Sequence, residues 1–185
     1  MDNAQRIWAP WRLGYIAGEK ESAPPSPEPD AWLPQAELSC FMCRAAASYK
    51  DDVEARRQNL VVTVGKRTQV LLNRYPYTNG HLLIAPLRHV GELSDLTDEE
   101  HLEAMHELGQ FTRLLRQLIS AEGFNVGLNL GSVAGAGVPG HLHWHLVPRW
   151  QGDSNFMSTL AGTRVIPQSL DALWEGLCEV IKAEE

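Results

Sequence analysis

Residues 140–148 read Gly140-His141-Leu142-His143-Trp144-His145-Leu146-Val147-Pro148. In a β-strand successive side chains point to opposite faces. The spacing i, i+2, i+4 therefore sets the three imidazoles in one row, with neighbours roughly 7 Å apart. Leu142, Trp144 and Leu146 go to the other face and anchor it in a core. A helix would scatter the same rings around its axis. The stretch predicts a strand, His141–Val147, that carries a row of imidazoles. Three chemistries are open to such a row: hydrogen-bonded structural histidines, a metal triad, or a neutral imidazole that attacks phosphorus while its neighbours orient it and donate protons. Like charges at this spacing discourage full protonation of the row, which helps keep one ring neutral.

Outward from the row, the segment Gly131–Gly140 is glycine-rich. Gly131, Gly135 and Gly137 let the backbone approach a ligand closely and turn N–H groups toward an anion, so the loop reads as a phosphate cradle. Phe124–Leu130 reads as a strand before it. Leu60–Val64 and Thr68–Asn73 read as strands joined at Gly65-Lys66-Arg67, and His81–Ala85 as another, ended by Pro86. Tyr75–Gly80 is a loop with Asn-Gly turn chemistry. Thr97-Asp98-Glu99-Glu100 is a capping box. It opens a long helix with apolar positions at Leu102, Met105, Leu108, Phe111, Leu115, Leu118 and Ile119, closed by Gly123 as C-cap. Ser169 caps a shorter helix with Leu170, Leu173, Trp174, Leu177 and Ile181. Short links between strand pairs favour antiparallel pairing, so the class is α+β.

The chain has 185 residues, room for one well-packed domain with decoration. Residues 1–39 read as an aromatic segment (Ile7, Trp8, Trp11, Tyr15) and a proline-rich linker over 18–37, and residues 40–185 as a single domain. Sixteen basic and 23 acidic residues give a formal charge of −7. That balance argues against broad nucleic-acid or membrane binding, and no apolar run approaches the ~20 residues of a membrane span. With no signal-peptide pattern at the start, the chain reads as cytoplasmic.

Three cysteines make a disulfide framework a poor reading. Cys40-Phe41-Met42-Cys43 is by itself a weak zinc signal, with a redox pair as competitor. No βαβ pattern surrounds it, and Phe41-Met42 is unlike a thioredoxin-type pair. Cys178 lies in a helical pattern and reads as a small core or surface residue. His101 and His106 fall on the long helix as solvated or packing residues.

His141-Leu142-His143-Trp144-His145-Leu146-Val147 resembles the signature of the histidine-triad (HIT) family, His-x-His-x-His-x-x with x apolar. Leu71–Pro76, Gly80–His89 and Phe124–Asn129 are similar to the blocks around it. Arg149–Phe156 and Ile7–Arg12 resemble the bacterial branch of diadenosine tetraphosphate phosphorylases and hydrolases. The resemblance implies a five-stranded antiparallel sheet with one long and one shorter helix. It also implies a homodimer, paired through the long helix and central sheet, with Trp8, Trp11, Trp150 and Trp174 as interface anchors (Trp174 reads equally well as core).

For the reaction, it implies nucleotidyl transfer from a dinucleoside polyphosphate through a nucleotidyl-histidine on His143. His145 then binds and protonates the leaving phosphate, and His141 orients the row or binds metal. Asn73 is implied to hold ribose hydroxyls, and Asn129 to sit near the scissile phosphate beside Gly135 and Gly137. Relatives and the hexose-1-phosphate uridylyltransferases imply a closed, structural zinc on Cys40, Cys43, His89 and His141, with His81 as the alternative third ligand. The sequence departs from the family in one place. Many members carry Ser, Thr or Gln just before the triad, where this chain has Ala136, Gly137, Val138, Pro139 and Gly140, and Ser132 stands further back. Water or phosphate as acceptor therefore stays open. The alternatives are a nucleoside phosphoramidate hydrolase of the Hint branch, or a non-catalytic nucleotide- or metal-binding protein.

Overall fold

The computed structural model describes residues 28–47, 52–153 and 168–184. The N-terminal aromatic segment, the first half of the proline-rich linker and residues 154–156 lie outside the described residues. Two short helices, α1 (Phe41–Ala46) and α2 (Val53–Gln58), precede β1 (Val61–Val64), β2 (Thr68–Leu72) and β3 (Leu82–Pro86). The long helix α3 (Asp98–Ile119), β4 (Gly123–Leu128), β5 (Trp144–Arg149) and α4 (Leu170–Lys182) follow. The strands form one antiparallel sheet in the order β1-β2-β3-β5-β4. The expected α+β fold, with five strands and a long and a shorter helix, is what the chain adopts; α1 and α2 are additions too short to announce themselves by periodicity.

The main core joins one face of the sheet to α3 and α4. Val62, Val70, Leu72, Leu82, Ile84, Trp144 and Leu146 meet Leu108, Phe111, Leu115, Leu173 and Leu177 there. Helix α1 covers part of the opposite face, so Ala45 packs with Val61 and Leu71. The Gln69 Nε2 amide donates to the Met42 carbonyl at 2.8 Å. This two-sided cover explains why every residue of β2 and β3 is buried.

The capping box forms as expected: the Glu100 amide donates to Thr97 Oγ1 and the Thr97 amide to Glu100 Oε2. The other end differs. Ser120, at φ 52°, ends α3 in the left-handed conformation, and Gly123 instead begins β4. The Arg116 guanidinium donates to the Glu122 carbonyl at 3.0 Å, so the end is stabilised by a cation rather than by glycine. The buried stripe of α3 runs through Ala104, Leu108, Phe111, Leu114 and Leu115, which leaves Leu102 and Met105 exposed. Trp174 is a core residue whose Nε1 donates to the Val61 carbonyl, and Trp150 Nε1 donates to the Ile119 carbonyl. Cys178 packs against the core.

The histidine strand is shorter than expected. β3 and β4 both pair with β5 only from Trp144 onward. Before it, the His141 amide donates to the Val138 carbonyl and the Leu142 amide to the Val90 carbonyl. The second of these bonds ties the first half of the row to the 86–91 loop instead of to the sheet. Alternation nonetheless survives: Leu142, Trp144 and Leu146 all enter the main core.

Candidate active site and metal centre

The row spans two environments. At its buried end, His141 is wholly enclosed and Cys40 and Cys43 are nearly so. His141 Nδ1 lies 3.4 Å from Cys40 Sγ and 3.5 Å from Cys43 Sγ, and His89 Nδ1 lies 3.2 Å from Cys43 Sγ. The four ligand atoms all fall within 4.8 Å of one another. Two sulfurs and two imidazole nitrogens that converge this closely fit one tetrahedral ion with bonds of about 2.0–2.3 Å. The second nitrogen of His141, Nε2, donates to the Pro86 carbonyl at 2.9 Å. That is the outer-shell bond that fixes the tautomer of a ligating histidine and leaves Nδ1 as the ligand atom.

Several elements converge to build this end. Helix α1 brings both cysteines, held down by Gln69. The loop after β3 brings His89. Its approach requires Gly140, where a Cβ would stand 3.0 Å from His89 Nε2, and Gly91, where a Cβ would stand 2.6 Å from the Pro139 carbonyl oxygen. Burial pushes the Cys43 thiol up to about 11. It also pushes His141 down to about 4, opposed by the Pro86 bond and reinforced by the neighbouring imidazoles. Such sites hold neutral groups or a cation, and they hold thiolates only with the cation present.

His143 stands at the centre. Its Nδ1–H donates to the carbonyl of His141 at 2.8 Å. A carbonyl only accepts, so the proton sits on Nδ1 and the Nε2 lone pair is left for other work. Burial lowers its pKa, opposed by that hydrogen bond. The ring is therefore a neutral base or nucleophile at pH 7.

At the other end the His145 ring meets His143 edge-on, with centroids 5.0 Å apart. Its other neighbour is His81, which is 1% exposed and places Nε2 3.0 Å from His145 Nδ1. Tyr77 stacks on His81 at 4.8 Å and 19°. The structure thus brings a fourth histidine to the row, at the end away from the cysteines. That overturns His81 as an alternative metal ligand. Its place follows from register: Leu83 pairs with His145, so the residue two before Leu83 reaches the same face. The sequence held that signal in the expected His81–Ala85 strand.

Of the remaining expected residues, Asn73 lies beside His81, and Asn129 and the glycines follow β4. Asn73 has its Nδ2 within 3.4 Å of both His81 ring nitrogens, while its Oδ1 accepts from the Tyr75 amide at 2.9 Å. Asn129 follows β4 and points Nδ2 at the Gly135 carbonyl, 3.5 Å away. Gly131 and Gly135 take φ of +77° and +88°, conformations that favour glycine. Gly137 is exposed with them. His101 is half-buried and His106 exposed on α3, both apart from the metal-type cluster.

Residues 54–152 match the family model described as HIT domain. The chain is 40% identical over 169 residues to an AP-4-A phosphorylase of Mycobacterium tuberculosis, covering 91% of this chain and 80% of the relative. It is 40% identical over 87 residues to a bis(5'-adenosyl)-triphosphatase of Saccharomyces cerevisiae, covering 46% and 42% of the two chains. Among solved structures it resembles a zinc-bound histidine triad family protein from Mycobacterium smegmatis. That match has 25% identity and a TM-score of 0.55, covering 68% of this chain and 88% of that one.

Proposed function

Because the chain belongs to the HIT domain family, we propose that it transfers a nucleotidyl group from a dinucleoside polyphosphate, of the diadenosine tetraphosphate kind, to phosphate or water. The observation that carries this reading is the bond from His143 Nδ1–H to the His141 carbonyl. It leaves the lone pair of Nε2 as the nucleophile, and burial keeps that lone pair unprotonated. In the first step Nε2 forms a bond to the α-phosphorus, and the bond to the leaving polyphosphate breaks. In the second, the acceptor displaces His143 and releases the nucleotide. His145 faces the leaving side, and the Gly131–Gly140 loop offers backbone N–H groups to phosphate oxygens. Asn73 and Asn129 serve the nucleotide. The substrate assignment is supported by the relatives, whose names specify an AP-4-A phosphorylase and a bis(5'-adenosyl)-triphosphatase.

In the same reading Cys40, Cys43, His89 and His141 hold a structural zinc ion. Four protein ligands leave it no open position, so its part is to lock the carbonyl that orients His143. Two copies pair in solution; β4 stands at the end of the sheet order with Val126 half-exposed on it.

The test is product analysis on diadenosine tetraphosphate with and without inorganic phosphate. ADP plus ATP, formed only with phosphate, identifies a phosphorylase; AMP plus ATP in both cases identifies a hydrolase. Absence of turnover in both defeats the reading. His143→Ala is expected to lower kcat by about 10⁴-fold or more while the metal content stays at the wild-type level. Loss of metal in that variant would mean a triad-centred ion and a different chemistry.

A further inference from the structure

We propose that Gly91 and Val138 seat the last turn of the glycine-rich loop, residues 138–140, on the cluster of Cys40, Cys43, His89 and His141, and that this seat sets how tightly the loop holds phosphate. The inference rests on the reading of the site given above, in which backbone N–H groups of that loop meet phosphate oxygens.

The loop is built in two unlike halves. Residues 131–136 close on themselves: the Gly135 amide donates to the Ser132 carbonyl at 3.0 Å and the Ala136 amide to the Gly131 carbonyl at 3.2 Å. Residues 131–135 are exposed, and a Cβ added at Gly131 or Gly135 would meet nothing within 4 Å. Residues 138–140 are wedged against other elements. Val138 packs on Cys40, Met42, Cys43 and Ala85. A Cβ at Gly140 would stand 3.0 Å from His89 Nε2, while Nδ1 of the same ring lies 3.2 Å from Cys43 Sγ. A Cβ at Gly91 would stand 2.6 Å from the Pro139 carbonyl oxygen and 3.3 Å from Gly140 Cα. The backbone at Gly91 is not left-handed, so it is the close approach of the two loops that calls for glycine there.

An exposed stretch of backbone takes its position from its ends. The start of the loop follows β4, which ends at Leu128. The far end is held by the contacts just described and by the His141 amide, which donates to the Val138 carbonyl at 3.1 Å. His89 and His141 are themselves members of the cluster. An ion shared by the four side chains restrains them together, and residues 138–140 rest on those same groups. With the cluster filled, the N–H groups of the loop are ordered before an anion arrives. With it empty, they must be ordered at the expense of affinity. The effect is selective. It falls on phosphate and spares the nucleoside, whose assigned partner, Asn73, follows β2 on the far side of β3 and β5 from β4. Gly91 and Val138 are positioning residues, since each reaches the ligand only through the loop. This route from cluster to substrate is separate from the His141 carbonyl that orients His143.

Titration calorimetry with AMP and with adenosine separates the phosphate from the nucleoside, on resting protein loaded with zinc or stripped by chelation. Stripping is expected to weaken AMP by about tenfold and to leave adenosine within about twofold. Equal AMP affinity in the two forms, or equal losses for both ligands, overturns the inference. Gly91→Ala tests the seat with zinc in place. Its Cβ must push against Pro139, so AMP should again weaken by about tenfold, with adenosine affinity and the zinc-to-protein ratio unchanged. Val138→Ala should show a smaller loss on AMP alone, about threefold. Wild-type AMP affinity in either variant, whatever its zinc content, overturns the proposal. Backbone amide spectra of loaded and stripped protein need no nucleotide. Resonances should move from Gly140 back through Gly135, and changes that stop at Val138 sink the inference even where AMP binds and diadenosine tetraphosphate is turned over. AMP that fails to bind the loaded wild type defeats the nucleotide reading along with it. Should the stripped protein not keep its fold, the two variants in their zinc-loaded form still decide the matter.

Discussion

The two ends of one histidine row are made of the same residue type and do opposite things with it. His141 is enclosed by Cys40, Cys43 and His89, donates from Nε2 to a backbone carbonyl and offers Nδ1. His145 meets His81 through Nδ1 at 3.0 Å and lies tilted against the Tyr77 ring. His143 lies between, with the tautomer set by the carbonyl of His141. The tautomer of each ring, and so its chemistry, comes from the partner of its second nitrogen. At the His141 end those partners are backbone oxygen and sulfur; at the His145 end the partner is another imidazole. A metal-type site and a reaction-type site are thereby built two residues to either side of His143.

The sharpest way to break the comparison is to empty the His141 end. Cys43→Ser, or exhaustive chelation, is expected to remove the metal and to destabilise the protein by several kcal/mol, which lowers the melting temperature by roughly 10 °C. Turnover should fall as well, because the carbonyl that orients His143 belongs to His141, one of the four candidate ligands. Metal analysis beside calorimetry checks this. A Cys43→Ser variant that melts with the wild type and keeps full activity would show that the two ends are independent. Acid adds a second handle. His141 and His143 are both depressed by burial in the folded state. The unfolded chain then binds more protons between the ordinary histidine value and about 4, so the metal-free protein should lose stability steadily as pH falls through that window.

The sheet, the two main helices and the row itself were legible because each has a period. Alternation marked the strands, and the capping box at Thr97 marked the start of α3. The four-ligand cluster was legible only through resemblance, since Cys40-x-x-Cys43 alone says nothing of His89 or His141, which lie 46 and 98 residues beyond Cys43. His81 was readable as a strand residue yet not as a member of the row, because its neighbour is set by the β3–β5 register rather than by local spacing. The end of α3 was misplaced because Arg116 replaces the glycine signal with a side-chain bond. Short helices such as α1 carry no usable period at all.

A smaller effect sharpens the comparison from outside the row. Arg88 adjoins His89, and its Nε and Nη2 both donate to the buried Glu100 carboxylate at 2.7 Å. That pair fastens the 86–91 loop, which supplies Pro86 O, His89 and Val90 O to the His141 end, onto the start of α3. The Arg88 hydrogen bond, together with the Thr97 amide, holds the Glu100 pKa below its ordinary 4.5 against the cost of burial. A depressed carboxylate contributes stability that is full above the unfolded value and fades as pH drops below it. Glu100→Gln should therefore cost about 1–3 kcal/mol at pH 7 and much less near pH 3. Denaturant titrations at the two pH values measure it, and an equal cost at both would assign the loss to packing.

The smallest expected effect concerns Asn73, which borders the His145 end. Its Oδ1 accepts from the Tyr75 amide, the bond of an ordinary Asx turn. Its Nδ2, poised over His81, is the part available to a nucleotide. The two halves of the amide separate a turn-former from a ligand residue. Asn73→Asp keeps the acceptor and removes the donor; Asn73→Ala removes both. Stability should fall by about 0.5–1 kcal/mol in Ala and hold in Asp. KM for diadenosine tetraphosphate should rise about threefold to tenfold in Ala and in Asp alike, since both lack the Nδ2 donor. An Asp variant with the wild-type KM would reduce Asn73 to a turn, and the nucleotide would then have to be held from the Asn129 and Gly135 side alone.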